Sequence, residues 1–190
     1  MSSILLNGPA VEPLTLDEAR AFLRVEHNDD DEVIATLIVG SRVHVEAQTR
    51  RALITQSWRL SADCWPEYGR FRVVPGPLQS LTAARVYDLA NVAHSVSATI
   101  FVPDFGASDL MFVPWAVRPP GRPTSGIELD VVVGYGDNAL DVPEPLRQAI
   151  RLLVAHWYEN RGLVLPARTQ PSPLPQTIAA LIAPYRMLSL

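Results

Sequence analysis

The sequence contains a single cysteine, Cys64, and no run of about 20 apolar residues. One cysteine cannot form a disulfide within the chain, nor can it build a zinc site that needs several thiolates. Without a long apolar run, no membrane-spanning helix is predicted. The N-terminal residues also lack the basic region of a signal peptide. We therefore expect a protein that is made in the cytosol and has no membrane partner.

Positive charge is also scarce. The 190 residues include 16 basic and 20 acidic side chains, and the formal net charge is -4. Proteins that bind nucleic acids usually carry a basic face, so the composition argues against a nucleic-acid-binding protein. Apolar residues make up 48% of the chain and charged residues 19%. These proportions are typical of a globular protein with a sizeable core.

Helical spacing predicts two helices near the N-terminus. Thr15 and Glu18 have the spacing of a capping box, which predicts a helix over residues 15–25. Apolar residues at intervals of three and four predict a longer second helix over about residues 30–50.

Five carboxylates lie between Glu26 and Glu32. A metal-binding loop usually spaces its acids at alternate positions, whereas acids in a first helical turn favour the positive end of the helix dipole. We therefore interpret this run as the start of the second helix, with Asn28 or Asp29 as its cap, rather than as a metal site.

The middle of the chain has a different pattern. Short runs rich in valine, isoleucine and aromatic residues are separated by proline and glycine, which predicts an antiparallel β lobe of about six strands over residues 54–135. Helical spacing then returns with Leu146, Ile150, Leu153 and Trp157, which predicts a third helix.

These patterns predict an α+β protein. Residues 1–53 and 136–162 are expected to form a small helical core, and the antiparallel β lobe of residues 54–135 is inserted between the second and third helices. Residues 163–190 are expected to form a proline-rich linker and an extended, apolar C-terminal arm.

Motifs for catalysis and for cofactor or metal binding are missing. The histidines form no ligand pair at helical spacing, and no serine has the context of a nucleophile elbow. The glycine-rich stretch at 134–138 lacks the spacing of a phosphate-binding loop and is interpreted as a turn that ends a strand. We therefore expect no catalytic residue, no cofactor and no metal.

The C-terminal residues 173–190 contain only one charged side chain, Arg186. Chain termini are usually polar, so this apolar segment is predicted to be an arm that docks on a partner protein. A single arm binds weakly, but several arms displayed on a ring bind cooperatively. The alternative is that the arm packs on the chain's own helices. The expected docking side chains are Leu174, Ile178, Leu181, Ile182, Tyr185 and Arg186.

The order and spacing of four segments match the pattern of a known protein family. These segments are residues 13–60, 73–88, 131–161 and 180–186. In these segments the chain resembles the small head–tail connector, or adaptor, proteins of long-tailed phages, prophages and phage-derived gene transfer agents. The resemblance extends over nearly the whole chain, except for residues 89–126.

The resemblance implies a structural, non-enzymatic protein at the head–tail junction of a virion or phage-like particle, synthesised in the bacterial cytoplasm. It implies a ring, usually of twelve copies, bound beneath the portal protein. A head-closure (stopper) or tail-terminator protein would bind the other side, and DNA would pass through the lumen without specific binding. On this interpretation the C-terminal arm docks on the portal.

Charge complementarity suggests where neighbouring copies meet in such a ring. The acidic start of the second helix would face the arginines near its end. The residues expected at this contact are Asp30, Asp31, Arg42, Arg50 and Arg51.

Two other interpretations remain open. The chain could be a head-closure or tail-terminator component whose arm docks on the tail tube. It could also be a small enzyme with a pocket in the β lobe around His94 or Cys64.

Overall fold

The computed structural model describes residues 1–104, 109–160 and 175–187. These residues form four α-helices and eight strands, and every strand pair is antiparallel. The predicted α+β class is therefore confirmed.

The chain divides into two compact units. The β unit contains Met1–Ala10 and Ile54–Asp137, and the helical unit contains Val11–Leu53 and Asn138–Leu190. These boundaries differ from the expected ones at both ends of the chain. The first ten residues belong to the β unit instead of the helical core, and the described C-terminal residues belong to the helical unit instead of forming a separate arm.

The β unit contains two sheets. One sheet has five strands in the order β1-β2-β8-β4-β5, and the other has three in the order β3-β7-β6. The strands are β1 (Ser2–Asn7), β2 (Gln56–Ala62), β3 (Arg70–Arg72), β4 (Leu78–Tyr87), β5 (Ala93–Val96), β6 (Val102–Pro103), β7 (Leu110–Phe112) and β8 (Ile127–Val133).

Strand β8 lies at the centre of the five-stranded sheet, between β2 and β4. Its alternate residues Ile127, Leu129, Val131 and Val133 are buried, as expected where one face of a strand packs on the core. Burial of side chains of this size stabilises the fold by about 1.5–3 kcal/mol each. The apolar face of β8 is therefore a main part of the core of the β unit.

The glycine-rich stretch after β8 is a turn, as its spacing indicated. Gly134 has a φ of 129°, and a Cβ atom placed there would lie 2.6 Å from the backbone oxygen of Ile54. The Gly134 amide also donates a hydrogen bond of 2.9 Å to the Pro77 carbonyl. This glycine is needed for backbone conformation and close approach, which accounts for the motif without a phosphate ligand.

The helical unit contains α1 (Leu16–Leu23), α2 (Asp31–Thr49), α3 (Glu144–Glu159) and α4 (Gln176–Ile182). The predicted capping box starts α1: the Glu18 amide donates to Thr15 Oγ1 at 3.2 Å, and the Thr15 amide donates to Glu18 Oε2 at 2.9 Å. None of the described helices combines the length and the apolar character that a membrane span requires.

The start of α2 differs from the prediction. Its N-cap is Asp30, not Asn28 or Asp29, and the Asp30 side chain makes no capping hydrogen bond. Instead, the Asp30 carboxylate accepts a hydrogen bond from the Tyr158 hydroxyl of α3. The Asp30 side chain therefore makes a tertiary contact between α2 and α3 instead of capping the first turn of α2.

A buried arginine joins α1 to α3. Arg147 donates through Nε to the Pro13 carbonyl at 3.1 Å and through Nη2 to Glu18 Oε1 at 2.8 Å. Its Nη1 donates to Glu144 at 3.1 Å. Because a buried charge is costly unless it is paired, these contacts hold the helices in one arrangement.

Candidate functional site

The C-terminal helix α4 was expected to dock on a partner, but the structure places it against α3 and α2 of the same chain. Ile178 is 1% exposed and Ile182 is 0% exposed. Both side chains are therefore part of the helical core and are not accessible to a partner in this structure. The arrangement matches the alternative in which the arm folds back on the chain's own helices.

The residues after α4 are held by the end of α2. The Met187 amide donates to the Thr49 carbonyl at 3.1 Å, and Arg51 Nε donates to the Tyr185 carbonyl at 2.7 Å. Arg186 Nη2 donates to Gln48 Oε1 at 2.8 Å. These contacts join the C-terminal segment to α2 through backbone as well as side chains.

The other expected docking residues have different positions. Leu181 and Tyr185 are half-buried and Arg186 is exposed, so these three can contact a partner while α4 stays in place. Leu174 lies outside the described residues. The six expected docking side chains thus do not form one accessible stripe, because two of them, Ile178 and Ile182, are buried in the helical core.

Arg42, one of the residues expected between neighbouring copies, is buried. Its Nε and Nη1 atoms lie 2.8 Å from Glu12 and 2.8 Å from Glu46, respectively. Burial alone would lower the pKa of Arg42, but hydrogen bonds and charges from the two glutamates outweigh it and raise the pKa. The expectation for Arg42 was wrong because the residue lies on the core side of α2.

Three of the other residues expected at that contact also have partners within the chain. Asp30 accepts from Tyr158, Asp31 lies 3.5 Å from Arg20, and Arg51 binds the Tyr185 carbonyl. Arg50 differs: it caps the end of α2 with a φ of 57° and is exposed. No side-chain partner of Arg50 occurs among the described residues, so it alone of the five is free to contact another molecule.

A cluster of paired charges lies on the five-stranded sheet of the β unit. Asp130 accepts from Arg59 Nε at 2.7 Å and from Arg59 Nη2 at 3.0 Å, and it lies 2.9 Å from Arg85 Nη2. Hydrogen bonds from Arg59 hold the pKa of Asp130 below its ordinary value, despite partial burial. This carboxylate has the environment of a structural ion pair and not of a general base.

The two side chains considered for an enzyme lie in different surroundings. His94 Nε2 is 2.8 Å from Asp88 Oδ2 in the β4–β5 hairpin, and this contact lowers the pKa of Asp88. Cys64 is exposed and borders a shallow groove of about 290 Å³, whose described lining does not include His94. Among the residues that the structure describes, no three ligand side chains are grouped so that they could hold a metal.

The outward face of α2 was missed by the sequence analysis. Val39 and Val43 are 42% and 51% exposed, and Ala47 is exposed on the same face. Their spacing of four residues was visible in the sequence, but periodicity alone does not separate an exposed apolar face from the core face of the same helix.

No protein-family model and no curated protein sequence matches the chain. Several solved structures do match the chain. The chain is similar to one from the neck of an empty gene transfer agent (GTA) particle computed with C6 symmetry, with a TM-score of 0.79 and 26% identity over 100% of this chain and 97% of that chain. It is also similar to one from the neck of a native GTA particle computed with C12 symmetry, with a TM-score of 0.73 and 27% identity over 98% and 97%.

These neck chains confirm the resemblance to the head–tail connector proteins of phages and gene transfer agents. A chain from the virion of a native GTA particle has the same fold, with a TM-score of 0.81 and 24% identity over 100% of this chain and 97% of that chain. This connector protein is therefore a structural component of a particle neck and not an enzyme. The alternative of an enzyme around His94 or Cys64 was wrong.

Proposed function

We propose that the chain is the adaptor of a phage-like particle. It forms a ring of twelve copies beneath the portal protein, joins the capsid to the tail, and leaves a channel through which DNA passes. A head-closure or tail-terminator protein binds the opposite side of the ring. The observation that carries this proposal is the similarity, over the full length of the chain, to neck chains from particles computed with C6 and C12 symmetry.

The C-terminal segment contributes the contact with the portal. Ile178 and Ile182 keep α4 on its own helices, while the outer side of the segment presents Leu181, Tyr185 and Arg186. Tyrosine and arginine are frequent at the centre of protein interfaces because they combine contact area with directional hydrogen bonds. The packing of α4 positions these side chains in advance, which lowers the entropy cost of docking.

The charge of the chain agrees with a DNA channel. The net charge is -4, and arginines such as Arg42, Arg59 and Arg147 are paired with carboxylates. A strongly basic lumen would bind phosphates and retain the DNA. DNA therefore passes this ring without specific binding.

A co-purification experiment tests the proposal. The portal ring from the same genome is mixed with the full-length chain, and the complexes are weighed by mass photometry. We expect a layer of about twelve added copies, which is the stoichiometry that an adaptor on a twelve-fold axis requires. If no layer forms, the adaptor assignment is wrong, and binding to the tail-tube and tail-terminator proteins is measured next.

A full-length variant tests the docking segment. Removing residues 172–190 would also remove Ile178 and Ile182 from the core, so loss of binding by that truncation has two explanations. The double substitution Tyr185→Ser and Arg186→Glu leaves Ile178 and Ile182 in the core and removes one exposed hydrogen bond within the chain, from Arg186 to Gln48. We expect it to abolish the layer on the portal while the circular dichroism spectrum is retained.

A matched control uses the same residue types in the β unit. Tyr68 and Arg70 are exposed, and Tyr68→Ser with Arg70→Glu makes the same chemical changes. The control should bind the portal like the unmodified chain. If both double variants bind alike, the C-terminal segment is not the portal contact.

A further inference from the structure

Strand β1 leaves one edge of the five-stranded sheet open. Among the described strands it pairs with β2 alone, and no other backbone hydrogen bond of Ser2–Asn7 occurs in the part of the chain that the structure describes. In an antiparallel pair, alternate residues direct their amide and carbonyl groups away from the partner strand. β1 therefore presents a row of unpaired donors and acceptors, which is the pattern that another strand recognises.

Of the four sheet edges among the described residues, three are protected against such pairing and β1 is not. Edge strand β3 carries the exposed Arg70 and Arg72, and β6 consists of two residues, one of which is Pro103. Edge strand β5 has four residues, and its His94 is paired with Asp88. Charged side chains, proline and short length are features by which natural edge strands prevent pairing with another chain. β1 has six residues, SSILLN, and none of these three features.

The side chains of β1 also suit a partner strand. Ile4, Leu5 and Leu6 are all exposed. The register with β2 is regular from Ser2 to Leu5, and a bulge follows before Asn7. Because successive residues of a strand point to opposite faces, Ile4 and Leu5 offer an apolar contact on each face of the sheet. When a strand is added to a sheet edge, main-chain hydrogen bonds supply affinity and alternate side chains supply specificity.

A second copy of the chain does not fit this edge in a ring. Pairing of β1 with β1 of another copy relates the two copies by a two-fold axis, so it joins copies in pairs and does not close a ring. Pairing with a different described edge of another copy would use one of the three protected strands. The partner strand therefore comes from another protein. It must be extended, free of proline at its paired positions and apolar at alternate residues.

We infer that β1 is the docking edge for an extended strand of the head-closure protein. The inference rests on the proposed function and assigns a surface to the partner on the tail side of the ring. The proposed portal contact, Tyr185 and Arg186, belongs to the helical unit, whereas β1 belongs to the β unit. The two partners thus bind different units of the chain, and neither contact uses residues of the other.

Amide hydrogen exchange at single-residue resolution tests the inference on three samples. These are the free chain, the chain layered on its portal ring, and that layer with the head-closure protein from the same genome. In the first two samples, alternate amides of β1 should exchange fast because they face solvent. In the third, we expect them to slow about tenfold or more because they become hydrogen-bonded. The amides of β5, at the other edge of the same sheet, should keep their rates.

The sample in which protection first appears identifies the partner. Protection in the free chain that rises with concentration shows pairing between copies, and protection on the portal alone shows contact with the portal or a neighbouring copy; either result overturns the inference. Binding of the head-closure protein without a change in β1 also overturns it, and the adaptor assignment then stands. If the head-closure protein does not bind the unmodified layer, both the inference and the tail-side partner of the proposed function are wrong.

A proline substitution gives an independent test. The variant is Ile4→Pro or Leu5→Pro, whichever removes the amide that exchanges fast in the free chain, because this change removes an outward donor and leaves the hydrogen bonds to β2 in place. We expect it to form the layer on the portal but to bind the head-closure protein about tenfold more weakly or worse. The matched control in β5 is Ser95→Pro or Val96→Pro, chosen by the same rule, and it should bind like the unmodified chain. Equal binding by the two variants contradicts the inference.

Discussion

The two ends of the chain are both apolar, but they are stabilised in different ways. Strand β1 lies at the edge of the five-stranded sheet, pairs with β2, and has all six of its residues exposed. Helix α4 buries Ile178 and Ile182 in the helical unit. Backbone hydrogen bonds thus hold the first segment and side-chain burial holds the second. An apolar terminal sequence therefore does not by itself indicate whether its side chains enter a core or remain available to a partner.

The largest expected effect is on the buried side of α4. Ile182→Ala removes a fully buried side chain and leaves a cavity, so the free energy of unfolding of the helical unit should fall by about 2–5 kcal/mol. Urea denaturation followed by the helical circular dichroism signal measures this. A change below about 0.5 kcal/mol would show that α4 does not belong to the core, and the contrast between the two ends would disappear.

A smaller effect is expected at the junction between the C-terminal segment and α2. Arg51→Ala removes the hydrogen bond from Nε to the Tyr185 carbonyl, and the free energy of unfolding should fall by about 1–2 kcal/mol. Amide hydrogen exchange should increase at the Met187 amide, which bonds to Thr49. The neighbouring Arg50→Ala is the control, because Arg50 is exposed and has no partner among the described residues; it should leave both measurements unchanged.

The smallest effect is expected in β1. Ile4 is 59% exposed, so Ile4→Ala should change the free energy of unfolding by less than about 0.5 kcal/mol. Thermal unfolding of the variant and of the unmodified chain gives this difference. A loss comparable to that of Ile182→Ala would mean that the Ile4 side chain is covered in the folded protein, and the two ends would then be stabilised alike.

Local sequence signals predicted most of the regular structure. The Thr15–Glu18 capping box and the apolar spacing located α1, α2 and α3, and the valine-rich runs located the central strands. Strand β1 was missed because its short run, Ser2–Asn7, has no alternating pattern, although Asn7, Gly8 and Pro9 provide a turn signal at its end. The pairing with β2, from Ser2 with Ser61 to Asn7 with Ser57, is a long-range contact that no local pattern contains.

For the expected interaction residues, too, long-range contacts decided what local patterns could not. Arg42 and Arg50 are both arginines of one amphipathic segment, and composition could not separate them. Arg42 lies between Glu12 and Glu46 only because the chain before α1 returns to α2. Arg50 follows the last residue of α2 and remains exposed. The choice between an internal ion pair and an external contact therefore depends on long-range packing.

The sequence by itself determined the α+β class, the principal helices and the resemblance to head–tail connectors, because helix caps, periodicity and segment order are local properties of the chain. Only the tertiary structure decided which apolar and charged residues are accessible. It buried Ile178 and Ile182, paired Arg42, and left Val39, Val43 and Arg50 exposed. The physical reason is that burial and ion pairing depend on which distant segments meet, and side chains of the same type have opposite roles when those neighbours differ.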